Sequence, residues 1–215
     1  AGFTVLYEET QTNYTLDDKG YLHLDLPVGT NCTFTLLEQK NYAETQTGTA
    51  TVPTEGFSGR FNEIVLQVPN KETYALLDLV LPHKRNFSQC QVVVTVCNFQ
   101  KSFYNCPQGF PGVKASISPP LNQFLYFFGT WGFLSNITNP LPNDLTSTSW
   151  DGGVFFMNVD MDVTHEFVVS AEFGDVPFTK TRIKCLKRGR LVNAAPNQGP
   201  RAQKPLTDLP CPDNC

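Results

Sequence analysis

The 215-residue chain has little charge, little histidine and no long apolar run. Charged residues make up 17% of it, low for a soluble helical protein. No stretch approaches the roughly 18 to 20 consecutive apolar residues that a membrane helix needs. No signal segment is recognisable either, so the chain reads as a trimmed piece of a larger exported protein, with membrane attachment only through parts not included in it. The three histidines, His23, His83 and His165, are scattered, no serine stands in a Gly-x-Ser-x-Gly elbow, and His165-Glu166 does not form a metalloprotease helix motif. Without a nucleophile and base constellation no enzyme is expected, and no catalytic residue or cofactor is assigned. No Cys-x-x-Cys pair is present, which removes the usual zinc frameworks.

What is present favours strands. Apolar residues reach 40%, with 17 Phe and 7 Tyr among them, enough to fill a core rich in β-formers. Seven cysteines (Cys32, Cys90, Cys97, Cys106, Cys185, Cys211 and Cys215) are many for a reducing cytosol. Four sequons begin at Asn13, Asn31, Asn86 and Asn136, and together with the cysteines they point to a glycosylated, disulfide-stabilised, extracellular chain. The odd cysteine implies a partner outside the fragment, since Cys211 and Cys215 read as the entry to a cysteine-rich module. Cys90 and Cys97, seven apart in one extended segment, face opposite ways and should not pair with each other. Cys97 with Cys106 and Cys32 with Cys90 both remain open.

Apolar runs broken by Gly, Pro, Asn and Asp recur about every ten residues, the pattern of an all-β sandwich. Expected strands are 3–8, 21–26, 32–38, 48–52, 61–68, 74–81 and 90–97, then 112–118, 124–128, 132–134, 153–159, 166–172 and 178–185. Placing Gly153 on Gly20 aligns "DKGYLHLDLPVGTNCTFTLLE" with "DGGVFFMNVDMDVTHEFVVSA" without a gap, and Gly2 matches Gly112 upstream. The expected organisation is therefore two tandem β-sandwiches, 1–100 and 108–192, with an insertion at 118–150 in the second and a linker or tail at 193–215. Gly20 and Gly153 are expected at turns with positive φ, and Leu22, Leu24 and Leu26 are expected to face a core opposite Tyr21, His23 and Asp25.

The pattern resembles the transthyretin-like or carboxypeptidase-regulatory-like, Ig-like β-sandwich. It is carried by Gly2-Phe3-Thr4-Val5-Leu6, by Leu16-Asp17-Asp18-Lys19-Gly20-Tyr21 with Leu22, Leu24 and Leu26, by Pro27-Val28-Gly29-Thr30, and by Tyr42 with Thr47 to Val52. "GFLSN" at Gly132 to Asn136 is similar to cartilage intermediate layer proteins. The resemblance implies a noncatalytic module of a matrix or cell-surface protein and says little about its task. In the second copy Asp160-Met161-Asp162 replaces the Pro-Val-Gly turn.

Function is expected where the second copy departs from the first. Eight basic residues and no acidic one lie between Lys180 and Lys204, leaving the rest of the chain at −12. Lys180, Arg182, Lys184, Lys187, Arg188 and Arg190 are the candidates for binding polyanions such as glycosaminoglycans, with nucleic acid excluded by the compartment. The aromatic "NQFLYFFGTWGFL" supplies either core or a contact for other extracellular proteins through Phe127, Phe128 and Trp131. Asp160 and Asp162, near Asp151 and Glu166, are weak candidates for calcium. The expected function is an extracellular structural or adhesive module, a spacer or a protein- and glycan-binding surface. The alternative is a receptor or viral surface-glycoprotein ectodomain that uses the aromatic insertion, and the third reading is an accessory domain of an enzyme.

Overall fold

The structure, a computed structural model, describes residues 2–57, 63–81, 83–102, 105, 108–127, 144–194 and 196–207. Among these the chain is built of strands with one short helix. In order they are β1 (Thr4–Tyr7), β2 (Thr12–Thr15), β3 (Asn31–Cys32), β4 (Phe34–Leu36), β5 (Thr45–Gln46), β6 (Ala50–Thr51), α1 (Lys71–Val80), β7 (Cys90–Thr95), β8 (Lys114–Ser118), β9 (Phe124–Tyr126), β10 (Gly153–Val159), β11 (Glu166–Glu172), β12 (Thr181–Lys184) and β13 (Leu191–Ala194).

One eight-stranded sheet runs β2-β1-β4-β5-β13-β7-β10-β9, a three-stranded sheet runs β12-β11-β8, and β3 pairs with β6 in a short ribbon. Both expected halves contribute to the large sheet, which continues across the interval between 100 and 108. Its centre is β13, parallel to both β5 and β7. The Pro/Gly/Asn-rich stretch from Asn193, expected as a flexible linker, is therefore part of the fold: Ala194 and Ala202 are buried, and backbone bonds join Cys97 to Pro200 and to Ala202.

Burial follows the pleat. Phe155 and Met157 of β10 face α1 with Leu125 and Leu77, whereas Val154, Phe156 and Val159 face the three-stranded sheet. There they join Val92 and Val94 of β7, Ala115 and Ile117 of β8, Phe167 and Val169 of β11, and Ile183 of β12 in one core. Each fully buried Phe contributes on the order of 2 to 3 kcal/mol by removal from water. β10 is apolar on both faces because it is covered on both, by α1 and by the small sheet. A second core gathers Val5, Tyr7, Phe34, Leu36 and Val52 around the N-terminal strands.

Several expected elements differ. The segment expected as a strand over 74–81 is helix up to Val80, with Leu81 as the extended C-cap: Asn70 caps the helix start, its side chain accepting from the Glu72 amide at 2.8 Å, and Glu72 sits in the first turn where an acid suits the helix dipole. Residues 21–26 keep the expected alternation, with Leu22, Leu24 and Leu26 packed on the N-terminal core, but form no ladder among the described residues. Gly20 has the expected positive φ of 85°, but in the second copy Gly152 takes that conformation at 71°. Gly153 starts β10 instead, and a Cβ there would lie 2.6 Å from the Phe127 ring, so close packing is what requires glycine. Neither disulfide left open in the sequence forms. Cys90 at the start of β7 is bonded to Cys185 just after β12, tying the large sheet to the small one, while Cys32 and Cys97 are buried free thiols. Cys106, Cys211, Cys215 and the expected strand 132–134 lie outside the described residues.

Candidate functional site

The basic C-terminal stretch is where the sequence is most lopsided, and the fold meets it with carboxylates from the N-terminal third. Arg190 is 8% exposed. Its guanidinium donates to Glu8 Oε1 at 2.5 Å, to Glu44 Oε1 at 2.7 Å and to Gln46 Oε1 at 3.1 Å. Lys187 Nζ reaches Glu44 Oε2 at 2.9 Å, Lys184 Nζ reaches Glu9 Oε1 at 3.6 Å, and Arg188 pairs with Asp162. Burial raises the Glu44 pKa, but the Lys187 hydrogen bond and Arg190 outweigh it and hold the carboxyl below its ordinary range. Arg182 donates to Asn31 Oδ1 at 3.1 Å. Of the six residues expected to bind polyanions, four are thus engaged with the protein's own carboxylates, and Arg190 is an interior residue. β13 lies beside β5 in the sheet, which brings opposite charges together that are about 140 to 180 positions apart in sequence.

Asp160 and Asp162 stand at an exposed turn after β10. Asp160 Oδ1 accepts from the Asp162 amide at 2.8 Å and from Gln89 Nε2 at 3.3 Å, and Asp162 is committed to Arg188. Among the described residues no group of three or more acidic, histidine or cysteine side chains converges to hold a metal ion.

This turn borders a feature that the sequence did not reveal. The register between β10 and β7 shifts between Phe156 and Val159, and at that bulge Asn158 adopts φ of 57°. Asparagine tolerates this left-handed conformation better than most residues, and such outliers concentrate at functional sites. The Asn158 side chain is fully used. Its Oδ1 accepts from the Asn86 amide at 2.6 Å and from Gln91 Nε2 at 3.0 Å, while Nδ2 donates to Lys84 O at 3.1 Å and Gln123 Oε1 at 2.9 Å. So anchored, the loops at Asn86–Gln89, Pro119–Gln123 and Asp160–Val163 frame an open groove of about 510 Å³ with Phe167 among its lining residues. Asn86 Nδ2, the Asn122 amide, Gln123 Nε2 and Asp160 Oδ2 make no hydrogen bond among the described residues, which leaves amide donors and one carboxylate oxygen at the groove.

The aromatic insertion divides by face. Leu125 and Tyr126 are buried, Phe124 is 39% exposed, and half-buried Phe127 borders a smaller cavity under α1. Phe128 and Trp131 lie outside the described residues, as does Asn136. Of the other sequons, Asn13 is exposed on edge strand β2, and Asn86 is exposed with its Oδ1 accepting from the Ser88 amide and hydroxyl. Asn31 is half-buried, its Oδ1 taken by Thr51 and Arg182.

Beside the smaller cavity is Asp151, 8% exposed. Burial pushes its pKa up to about 6, against lowering by the Gln108 amide and the Gly153 backbone N–H. A carboxyl raised in the folded state contributes stability that is complete below its unfolded pKa and is lost as pH rises through about 6. Asp151→Asn is therefore expected to stabilise the protein at neutral pH by about 3 kcal/mol, the gain vanishing near pH 4. Urea unfolding of both proteins across that range measures it.

No protein-family model matches the chain, and neither a curated protein nor a solved structure does. Among the described residues no helix is long and apolar enough to cross a membrane.

Proposed function

We propose that the chain is a noncatalytic binding module of an extracellular glycoprotein, and that its contact is the groove at the β10 bulge, which takes a neutral saccharide. The observation that supports this is the set of hydrogen-bonding groups on the residues that line the groove, the amides of Asn122 and Gln123 and one Asp160 carboxylate oxygen, beside the apolar flanks of Leu121 and Val163; the Asn86 amide joins them only where its sequon carries no glycan. Hydroxyl-rich rings need donors and acceptors together on one wall and an apolar surface for their C–H faces. A volume of about 510 Å³ falls in the range typical of small-ligand sites. The buried cystine supports an oxidising compartment, because structural disulfides persist there. An Ig-like ancestry belongs to the same proposal, with the three-stranded sheet facing β7 and β10 across one core as its support. A sulfated glycan is the less favoured ligand, since four of the six candidate basic residues are already paired with carboxylates.

The test is a glycan array probed with Ser88→Ala protein, in which the sequon is abolished but the Asn86 amide is kept. Binding to neutral saccharides is expected, and Asp160→Asn should weaken it about tenfold, the value of one hydrogen bond to a charged acceptor. Binding confined to sulfated glycans, or unchanged in Asp160→Asn, would count against the groove.

A further inference from the structure

The cavity under α1 is a second site of different chemistry. Thr73, Tyr74 and Leu77 of the helix roof it, Val93, Phe155 and Leu191 of the large sheet floor it, and Phe127 stands at its side. Its volume is about 260 Å³, against roughly 150 Å³ for an engineered cavity that binds benzene. It therefore has room for one ring with a short substituent.

Three polar groups among its lining residues determine what that substituent must be. The Asp151 carboxylate accepts from Gln108 Nε2 at 3.0 Å and takes part in no ion pair among the described residues. Asn193 donates through Nδ2 to Gln67 O at 2.8 Å, but its Oδ1 is buried without a partner. The Tyr74 hydroxyl is buried beside the Arg85 guanidinium, which lies over its ring at 3.9 Å and is the group that interacts with it. A buried polar atom without a partner calls for a ligand or water to complete it. Two of these three groups are acceptors only, one of them anionic, and the walls are aromatic and aliphatic.

We infer that this cavity binds a small organic amine, its ammonium group meeting Asp151 and Asn193 Oδ1 and its apolar body lying between Phe127, Phe155 and Leu77. The complementary features are an anion lacking a counterion, an acceptor lacking a donor, and aromatic faces that favour cations. Other titratable groups near Asp151 do not supply the missing charge. Cys97 is a buried thiol pushed up to about 12 and stays neutral, Arg201 is not among the residues that line the cavity, and Arg85 is bonded to Asp78 at 2.6 Å. The carboxyl that holds the amine protonates near pH 6 in the empty protein, so binding weakens on acidification.

The experiment is a titration of the intact chain with 2-phenylethylamine, with 2-phenylethanol as the uncharged control, followed by backbone amide shifts in β7, β10 and α1. The amine is expected to bind at pH 7.4 at least about tenfold more tightly than the alcohol, the value of one charge-assisted contact. That preference should disappear in Asp151→Asn, which is expected to fold, and should fall about tenfold between pH 7.4 and pH 5. Equal binding of amine and alcohol, a preference that survives in Asp151→Asn, shifts located away from the cavity, or no saturable shift at all would each overturn the assignment and leave a water-filled cavity.

Discussion

Arg190→Ala is expected to destabilise the protein by about 3 to 5 kcal/mol, the range for removing one partner from a buried ion pair. The magnitude follows from what is left behind. Glu8 and Glu44 lose the guanidinium that bonds both, and Thr35 and Gln46 lose a shared donor. A buried carboxylate without its cation must either stay ionised at a large desolvation cost or take up a proton. Replacing the charges together should be far milder. Arg190→Met with Glu8→Gln and Glu44→Gln leaves no buried uncompensated charge, since the Lys187 that loses Glu44 is exposed, and is expected to lose less stability than Arg190→Ala alone. Chemical denaturation at neutral pH measures both. A surface role for Arg190 in capturing polyanions would predict the opposite, a loss of binding with stability within about 0.5 kcal/mol of the parent.

The second large effect belongs to the cystine. Cys90 and Cys185 are 95 residues apart, so their bond closes a long loop in the unfolded chain. Loop-closure entropy for that length gives about 4 to 5 kcal/mol, and Cys90→Ala with Cys185→Ala should cost most of it. The linkage also has a structural consequence, because it joins the start of β7 to the end of β12 and so holds the small sheet against the large one. Unfolding with and without reductant should show the parent falling to the stability of the double variant. Cys32→Ala and Cys97→Ala should leave that reductant sensitivity unchanged, since both are free thiols.

How much of this could be read in the sequence depends on the range over which each interaction acts. The bounds of β10 and β11 were visible because runs of seven residues carry enough apolar pattern to define a strand. The alternation of Leu22, Leu24 and Leu26 was also visible, but pairing was not, since a ladder needs a partner that burial alone does not name. α1 reads as a strand in sequence because Leu76 and Leu79 point outward, Leu79 at 79% exposure, so its apolar residues do not gather on one face. The local signal that could have found it was Asn70 ahead of Glu72, a cap and a first-turn acid. β5 has two residues and offers no period at all.

The site was less legible than the fold for the same reason. The basic stretch from Lys180 to Lys204 is a true feature of the sequence, but its meaning depends on Glu8, Glu9 and Glu44, which only the parallel β5-β13-β7 pairing brings near. Charge that looks available in one dimension is consumed in three. In sequence Asp160 stands out only as a cation ligand, while its place at the rim of the groove comes from the Asn158 bulge, and a single asparagine gives no sequence signal for positive φ. In sequence Asp151 is only a neighbour of that turn. Its burial beneath α1 depends on a helix that the strand pattern had hidden.

Side-chain resonances distinguish the groove from the basic stretch as the place of contact. In labelled Ser88→Ala protein titrated with a neutral saccharide, the NH2 signals of Asn86, Asn122 and Gln123 should shift together and saturate with one dissociation constant. That constant should be insensitive to salt between about 0.05 and 0.5 M, because no exposed ion pair is involved. Shifts confined to Lys180, Arg182 and Lys187, weakening steeply over the same salt range, would place the contact on the basic stretch instead.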